Sequence, residues 1–331
     1  MFSSSTLPVT KGAFAFARQA LLKSRRRGVI NHGIILGPKL STLSKSLPKG
    51  TWCSHMHIVE PEKFPLDAKA QYQPHPHTIA DARSFYEPLG IKNMVIVQPS
   101  IYANDNSCTL HALRELTPQH GRAVVQFDPK TIKQRTLDDW HDLGVRGVRV
   151  NLVSVGRELS EEDLRTELTE YADIIRRLDW VLEIYIPLRM ATVLENIVTD
   201  LDVKVCIDHF GQPTLPTPYD PTTAIKPYDL PGFTSLVNLL QANTWVKLSG
   251  QYRISKDPEL RDLEPLAIEL LKMAPDRVVF ATDWPHTRFE NIDTKTFIEA
   301  CFRWCGEGTG LAEKLFVTNA EELWDVLPSK T

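Results

Sequence analysis

The chain has 331 residues, 42% hydrophobic and 24% charged, an ordinary globular composition with enough apolar material for a sizeable core. Its net charge of −3 offers no electrostatic basis for holding nucleic acid, and no apolar run approaches the roughly 20 residues of a membrane helix. The five cysteines, at 53, 108, 206, 301 and 305, form no CxxC pair and suit a reducing compartment.

The charge is unevenly placed. Residues 1–59 contain no Asp or Glu and nine of the 38 basic residues, which leaves 29 basic against 41 acidic residues in the remainder. We read residues 1–49 as a basic N-terminal extension, disordered or targeting. Its segment "FAFARQALLKSRRRG" resembles a mitochondrial presequence. A cytoplasmic location is the expectation, and a mitochondrial one the alternative that this acid-free stretch raises.

From residue 50 to 331 strand-like and helix-like runs alternate. The strand candidates are "TWCSHMHI", "NMVIVQP", "AVVQF", "VRGVRVNL", "WVLEIYI", "VKVCIDH", "TWVKLSG" and "RVVFATD", rich in Val and Ile and bounded by turn residues. Amphipathic stretches such as "TIADARSFYEPLG", "SEEDLRTELTEYADIIRRLD" and "RMATVLENIVTDL" lie between them. Eight strands with helical connections predict parallel pairing and a closed (β/α)8 TIM barrel. The proline-rich stretch from about Gly211 to Gly232 reads as a rigid excursion near the barrel mouth.

Such barrels carry their chemistry at the C-terminal ends of the strands. Taken in order, those ends supply His55 and His57, then Ser100, then Arg149 and Asn151, then Glu183 and Tyr185. Asp208 and His209 follow, then Lys247, Ser249 and Arg253, then Asp283 and His286. His55 and His57 stand two apart, so in a strand both imidazoles point to one face.

The motifs "SHMHI", "GVRGVRVNL", "IDHFGQP", "WVKLSG" and "FATDWPHT", in this order and each at a strand end, resemble the amidohydrolase superfamily. They are most similar to its branch of 2-pyrone-4,6-dicarboxylate lactonases and sugar-lactone hydrolases. The resemblance runs from about residue 50 to the end. It implies a hydrolase that opens a carboxylated lactone, with Asp283 as the base activating water and His55, His57 and His209 around the carbonyl oxygen. It also implies that Tyr72, Ser100, Arg149, Tyr185, Arg253 and His286 hold the substrate. Two positions depart from the family pattern. Cys53 stands where Asp is frequent, and Val155 stands where the pyrone lactonase has a second arginine, with Arg157 nearby but displaced.

Lactone hydrolysis needs a water, a base beside it and donors for the developing oxyanion. Burial of Asp283 would raise its basicity and a neighbouring cation would lower it. Arg149 and Arg253 suit carboxylates, because guanidinium forks bind them bidentately. Structural readings stay open: Asp283 as a turn cap, His209 as a core histidine, Arg149 as the ion-pair partner of Glu183. We expect no required cofactor. The alternative is one divalent metal, Zn or Mn, on His55, His57, His209 and Asp283. The competing functions are a zinc-dependent decarboxylase of aromatic or unsaturated acids and a non-catalytic carboxylate-binding relative. The expected partner is a small carboxylate or lactone, with no nucleic acid and no membrane, and the oligomeric state stays open.

Overall fold

The computed structural model describes residues 43–289 and 292–326. Most of the basic extension, residues 1–42, and with it the presequence-like segment, lies outside the described residues. No helix among the described residues is long and apolar enough to cross a membrane.

All eight strand candidates form strands: β1 (Trp52–Met56), β2 (Asn93–Val97), β3 (Gly121–Val125), β4 (Val145–Asn151), β5 (Val181–Tyr185), β6 (Lys204–Ile207), β7 (Thr244–Leu248) and β8 (Val278–Phe280). They pair in sequence order, every pair parallel. Two backbone bonds just past β8 bring it round to β1: Asp283 N–H donates to His55 O at 3.0 Å, and His57 N–H to Trp284 O at 2.8 Å. The chain is thus an eight-stranded (β/α)8 barrel, and the join places Asp283 beside the histidine pair.

The helices α1 (Ile79–Tyr86), α2 (Ser107–Glu115), α3 (Gln134–Leu143), α4 (Glu161–Ile175), α5 (Ala191–Val198) and α6 (Phe233–Leu240) connect successive strands up to β7. The connection to β8 holds α7 (Gln251–Ile254) and α8 (Glu264–Met273), and α9 (Thr294–Cys305) follows β8. Local chemistry sets the helix starts. Thr78 and Asp81 form a reciprocal capping box before α1, and the Ser160 side chain accepts from Asp163 N–H before α4. The proline-rich excursion leaves the C-terminal end of β6 and contains one 3-10 turn, Pro227–Asp229.

A large apolar cluster packs the strands against the helices. A smaller one, with Trp52, Val95, Val124, Val181, Trp245 and Trp324, fills the barrel's interior toward its N-terminal end. Along β5 and β7 the period of two then carries polar side chains up the same face. Val181 is followed by Glu183, and Trp245 by Lys247. β1 breaks this period. Its register against β2 shifts between Cys53 and Met56. Ser54 accepts a hydrogen bond from the Trp324 indole at 3.1 Å, while the next residue, His55, meets Lys247. Two consecutive side chains thus reach the interior, which is how a bulge re-aims a strand.

Candidate active site

Four fully or nearly buried charges form a floor beneath the cavity at the C-terminal end of the barrel. Arg149 Nη2 donates to Asp208 Oδ2 at 2.8 Å, and Arg149 Nε lies 3.2 Å from Glu183 Oε1. The Lys247 ammonium donates to Glu183 Oε2 and lies 3.2 Å from Asp208 Oδ1. Two cations against two anions neutralise the layer, and a buried charge without such a partner would cost several kcal/mol, roughly 3–5. Burial and the nearby Asp208 carboxylate push the Glu183 carboxyl above its ordinary range. Burial pushes Asp208 the same way, but the Lys247 ammonium and the other cations outweigh it and hold Asp208 well below its ordinary value.

The histidines stand on this floor. His55 Nδ1 is 3.0 Å from Lys247 Nζ, and His55 Nε2 is 3.3 Å from His57 Nε2. The two rings meet edge to face at 4.8 Å. His57 Nδ1 lies 2.7 Å from Val97 O, and His209 Nδ1 lies 2.8 Å from Ser249 Oγ. Burial drives all three imidazoles down, His57 and His209 to about 4 and His55 well below its usual value with help from Lys247. At neutral pH they are uncharged.

Asp283 closes the group. Its Oδ2 accepts from Tyr252 Oη at 2.6 Å and from Arg253 Nε at 2.9 Å. Its Oδ1 is buried with no hydrogen-bond partner among the described residues, 3.6 Å from Nε2 of both His55 and His57. Burial would raise the carboxyl, but Arg253 beside it, with the imidazoles as they protonate, holds it well below its usual range. With the imidazoles neutral above about pH 4, Arg253 is the cation responsible. The contest between burial and a nearby cation is decided for the cation, and Asp283 is ionised at neutral pH.

Most of the remaining site candidates line the cavity: Tyr72, Ser100, Arg149, Tyr185 and Arg253. Tyr185 donates to Gln212 Oε1 at 2.9 Å and sets its ring edge on His209. Arg149 also pairs with Glu183, so it is wall and ion pair together. Arg253 meets a carboxylate at the mouth, and that carboxylate is Asp283. His286 stands off the cavity. Its Nε2 lies 3.2 Å from Thr282 O and its ring packs edge-on against Tyr252. Cys53 faces away from the chemistry, with Sγ 3.3 Å from the hydroxyls of both Tyr86 and Thr282. Arg157 is paired with Glu167 at 2.5 Å and does not replace the arginine absent at Val155.

Two residues of the rim carry no signal in strand patterning. Tyr252 follows Gly250 on the short α7, and Arg288 sits in the turn after Pro285 with a left-handed φ of 71°. The Arg288 guanidinium stacks over Tyr72 at 5.0 Å and has no carboxylate partner among the described residues. Lys247, Glu183, Asp208 and Ser249 are legible as polar strand ends, but their contacts join positions up to 192 residues apart.

The central space is small, about 20 Å³, enough for a water. A larger cavity of about 840 Å³ opens at the opposite end of the barrel, between Gly50, Asn93, Arg122 and Val326. There Arg122 already donates to the carbonyls of Trp324 and Asp325, and no catalytic side chains converge. The candidate site residues gather instead at the C-terminal end.

The donor set also fits a single divalent ion. Donor atoms of His55, His209 and Asp283 lie within 4.8 Å of one another, with His57 adjacent, and the orphaned Asp283 Oδ1 is the oxygen such an ion would recruit. Among the described residues, no second set of unoccupied donors gathers in the cavity. The other converging set, His55, Glu183 and Asp208, is occupied by Lys247 and Arg149.

A sequence profile of the amidohydrolase family matches residues 54–326. A 4-sulfomuconolactone hydrolase from Hydrogenophaga intermedia is 32% identical over 266 residues, covering 78% of this chain and 82% of that protein. A 2-pyrone-4,6-dicarboxylate hydrolase from Comamonas testosteroni is 29% identical over 256 residues, covering 74% and 80%. The crystal structure of a protein described as a 2-pyrone-4,6-dicarboxylic acid hydrolase of Pseudomonas putida superposes with a TM-score of 0.69 at 26% identity, covering 85% of this chain and 99% of that one. Barrel, strand-end histidines and profile agree, and the chain belongs to the amidohydrolase family.

Proposed function

We propose that the protein hydrolyses a small carboxylate-bearing lactone, with Asp283 taking the proton of the attacking water. The observation that carries this reading is the division of the Asp283 carboxylate. Tyr252 and Arg253 hold Oδ2, and Oδ1 faces the histidines without a partner. A water placed against Oδ1 gives up its proton there as its oxygen attacks the lactone carbonyl. The carbonyl electrons move onto oxygen, where an imidazole N–H receives them. Collapse of the intermediate breaks the ring C–O bond, and the ring oxygen leaves as an alcohol after taking up the proton. Because Arg253 weakens Asp283 as a base, positioning supplies much of the rate; well-oriented groups gain roughly 7–11 kcal/mol in favourable cases.

Family membership and relatives named for lactones support the reaction class. The cationic rim supports an anionic substrate. Arg253 lines the cavity, and Arg288 stands over Tyr72 with no carboxylate partner among the described residues. The five free cysteines suit a cytoplasmic setting. This reading requires no metal. In a second reading, favoured by the orphaned Asp283 Oδ1, His55, His57, His209 and Asp283 hold one zinc or manganese ion, which would supply Lewis-acid polarisation of the substrate.

Elemental analysis followed by a panel of carboxylated lactones and aromatic acids tests the function. The expected result is ring opening of at least one lactone, with activity that survives chelation. Release of carbon dioxide from an aromatic acid, with every lactone inert, would replace the hydrolase with a decarboxylase.

A further inference from the structure

The arginines around the cavity differ in what they already hold. Arg149 meets Asp208 and Glu183, Arg253 meets Asp283, and Arg157 meets Glu167. Arg288 lines the same cavity and meets no carboxylate among the described residues. The three cavity arginines also form a gradient in depth. The side chain of Arg149 is 4% exposed and that of Arg253 13%, while Arg288 is exposed. Arg288 therefore stands farthest from the reacting centre and keeps its charge for something that arrives from solution.

Its surroundings hold it in place. The Tyr72 ring carries the guanidinium at 5.0 Å, a contact with the π face that uses no N–H donor. Tyr72 Oη lies 3.3 Å from Thr287 Oγ1, which ties the loop after β1 to the turn after β8. Within that turn three non-glycine residues take left-handed φ angles, Asp283 at 60°, His286 at 61° and Arg288 at 71°. L side chains disfavour such backbone, so packing must hold it. One short constrained turn thus carries both the candidate base and the uncommitted guanidinium. In a ring of eight strands β4 lies opposite β8. Beyond Arg149, the β4 side offers neutral donors. Ser154 lines the cavity, and Nδ2 of the buried Asn151 has no hydrogen-bond partner among the described residues.

We propose that Arg288, on its Tyr72 platform, is a specificity-determining residue that takes a second anionic group of the substrate, a carboxylate or a sulfonate, at the β8–β1 side of the mouth. The planar N–H fork suits two oxygens side by side, and both groups present them. The uncharged end of the substrate then lies toward β4, against Ser154 and Asn151. The inference deepens the lactonase reading and rests on it for the identity of the ring, but the anion subsite does not depend on turnover.

The test is binding without chemistry. Calorimetry of the full-length protein, with chelator present, compares benzoate with two probes that add a second anion, benzene-1,3-dicarboxylate and 3-sulfobenzoate. The wild type should bind at least one of the two probes about tenfold more tightly than benzoate, and the one preferred names the anion. Arg288→Met should abolish that preference, and Arg288→Lys, which keeps the charge but loses the fork, should retain part of it. Thermal melting of both variants checks that they fold. No preference for either doubly charged probe in the wild type, or a preference undiminished in Arg288→Met, would overturn the proposal. A protein inert to every lactone that still shows the Arg288-dependent preference would defeat only the lactonase reading.

Discussion

Asp283 keeps its two oxygens in different company, and that asymmetry makes a residue-level prediction. Asp283→Asn preserves shape and can still accept from Tyr252 and Arg253 through its amide oxygen. It cannot take a proton. Turnover should fall by roughly 10²–10⁴ or more, the span of general-base contributions, with the barrel still folded. Wild-type kcat in this variant would end the proposed mechanism. The two rim arginines should separate by a different pair of measurements. Arg253→Met strands a buried carboxylate, so thermal or denaturant unfolding should register a loss of roughly 3–5 kcal/mol. Arg288 is exposed and pairs with no acid among the described residues, so Arg288→Met should cost less than about 0.5 kcal/mol of stability. If Arg288 takes over the anion that Val155 cannot hold, the same variant raises KM about tenfold for a doubly anionic lactone. It should leave KM for a singly charged lactone nearly unchanged. Equal changes for both substrates would remove that role.

At the scale of elements, the turn from β7 into α7 builds two walls of the site at once. Gly250 adopts φ +60°, and a Cβ there would sit 2.8 Å from His209 Nδ1. Gly250→Ala therefore strains the backbone by roughly 1–2 kcal/mol and displaces the imidazole from Ser249. The expected outcome is a modest loss of melting temperature with a disproportionate loss of kcat, read by calorimetry beside steady-state kinetics; unchanged kcat would mean that His209 tolerates the shift. This turn also shows where the sequence could be read and where it could not. Strand existence and order were legible because each Val- and Ile-rich run is closed by turn residues, and the ends then listed His55, Arg149, His209 and Asp283 without structural help. The period of two put His55 and His57 on one face. It missed the bulge that turns Ser54 and His55 inward together, because register depends on β2, not on β1 alone. Arg253 is legible as a polar residue just past a strand, but nothing local says that the carboxylate it meets is Asp283, 30 residues away in a different turn. Arg288 went unseen because it follows a proline turn, outside any periodic element.

The whole molecule carries its buried histidines as a stability cost in acid. His57, His209 and His286 have values near 4, and His55 is also well below normal, all primarily through burial. The unfolded chain protonates these rings near 6.5, so between about pH 6.5 and 4 it binds more protons than the native state. Stability must then fall as pH falls through that window, by at most about 3 kcal/mol for each fully buried ring. Glu183 acts in the opposite sense. Its native value is raised, so it is stabilising below its unfolded value and loses that contribution as pH rises toward neutrality. One carboxyl opposes four imidazoles, and the histidines win. Asp208 and Asp283, both held low, add a further loss only below about pH 4, the unfolded range of a carboxyl. Calorimetry in buffers from pH 8 to 4 should show a melting temperature that declines on the order of 10 °C between pH 7 and 5. In His57→Asn, whose amide can still donate to Val97 O, the decline should be visibly shallower. A flat wild-type profile over that interval would mean that these imidazoles are charged in the native state.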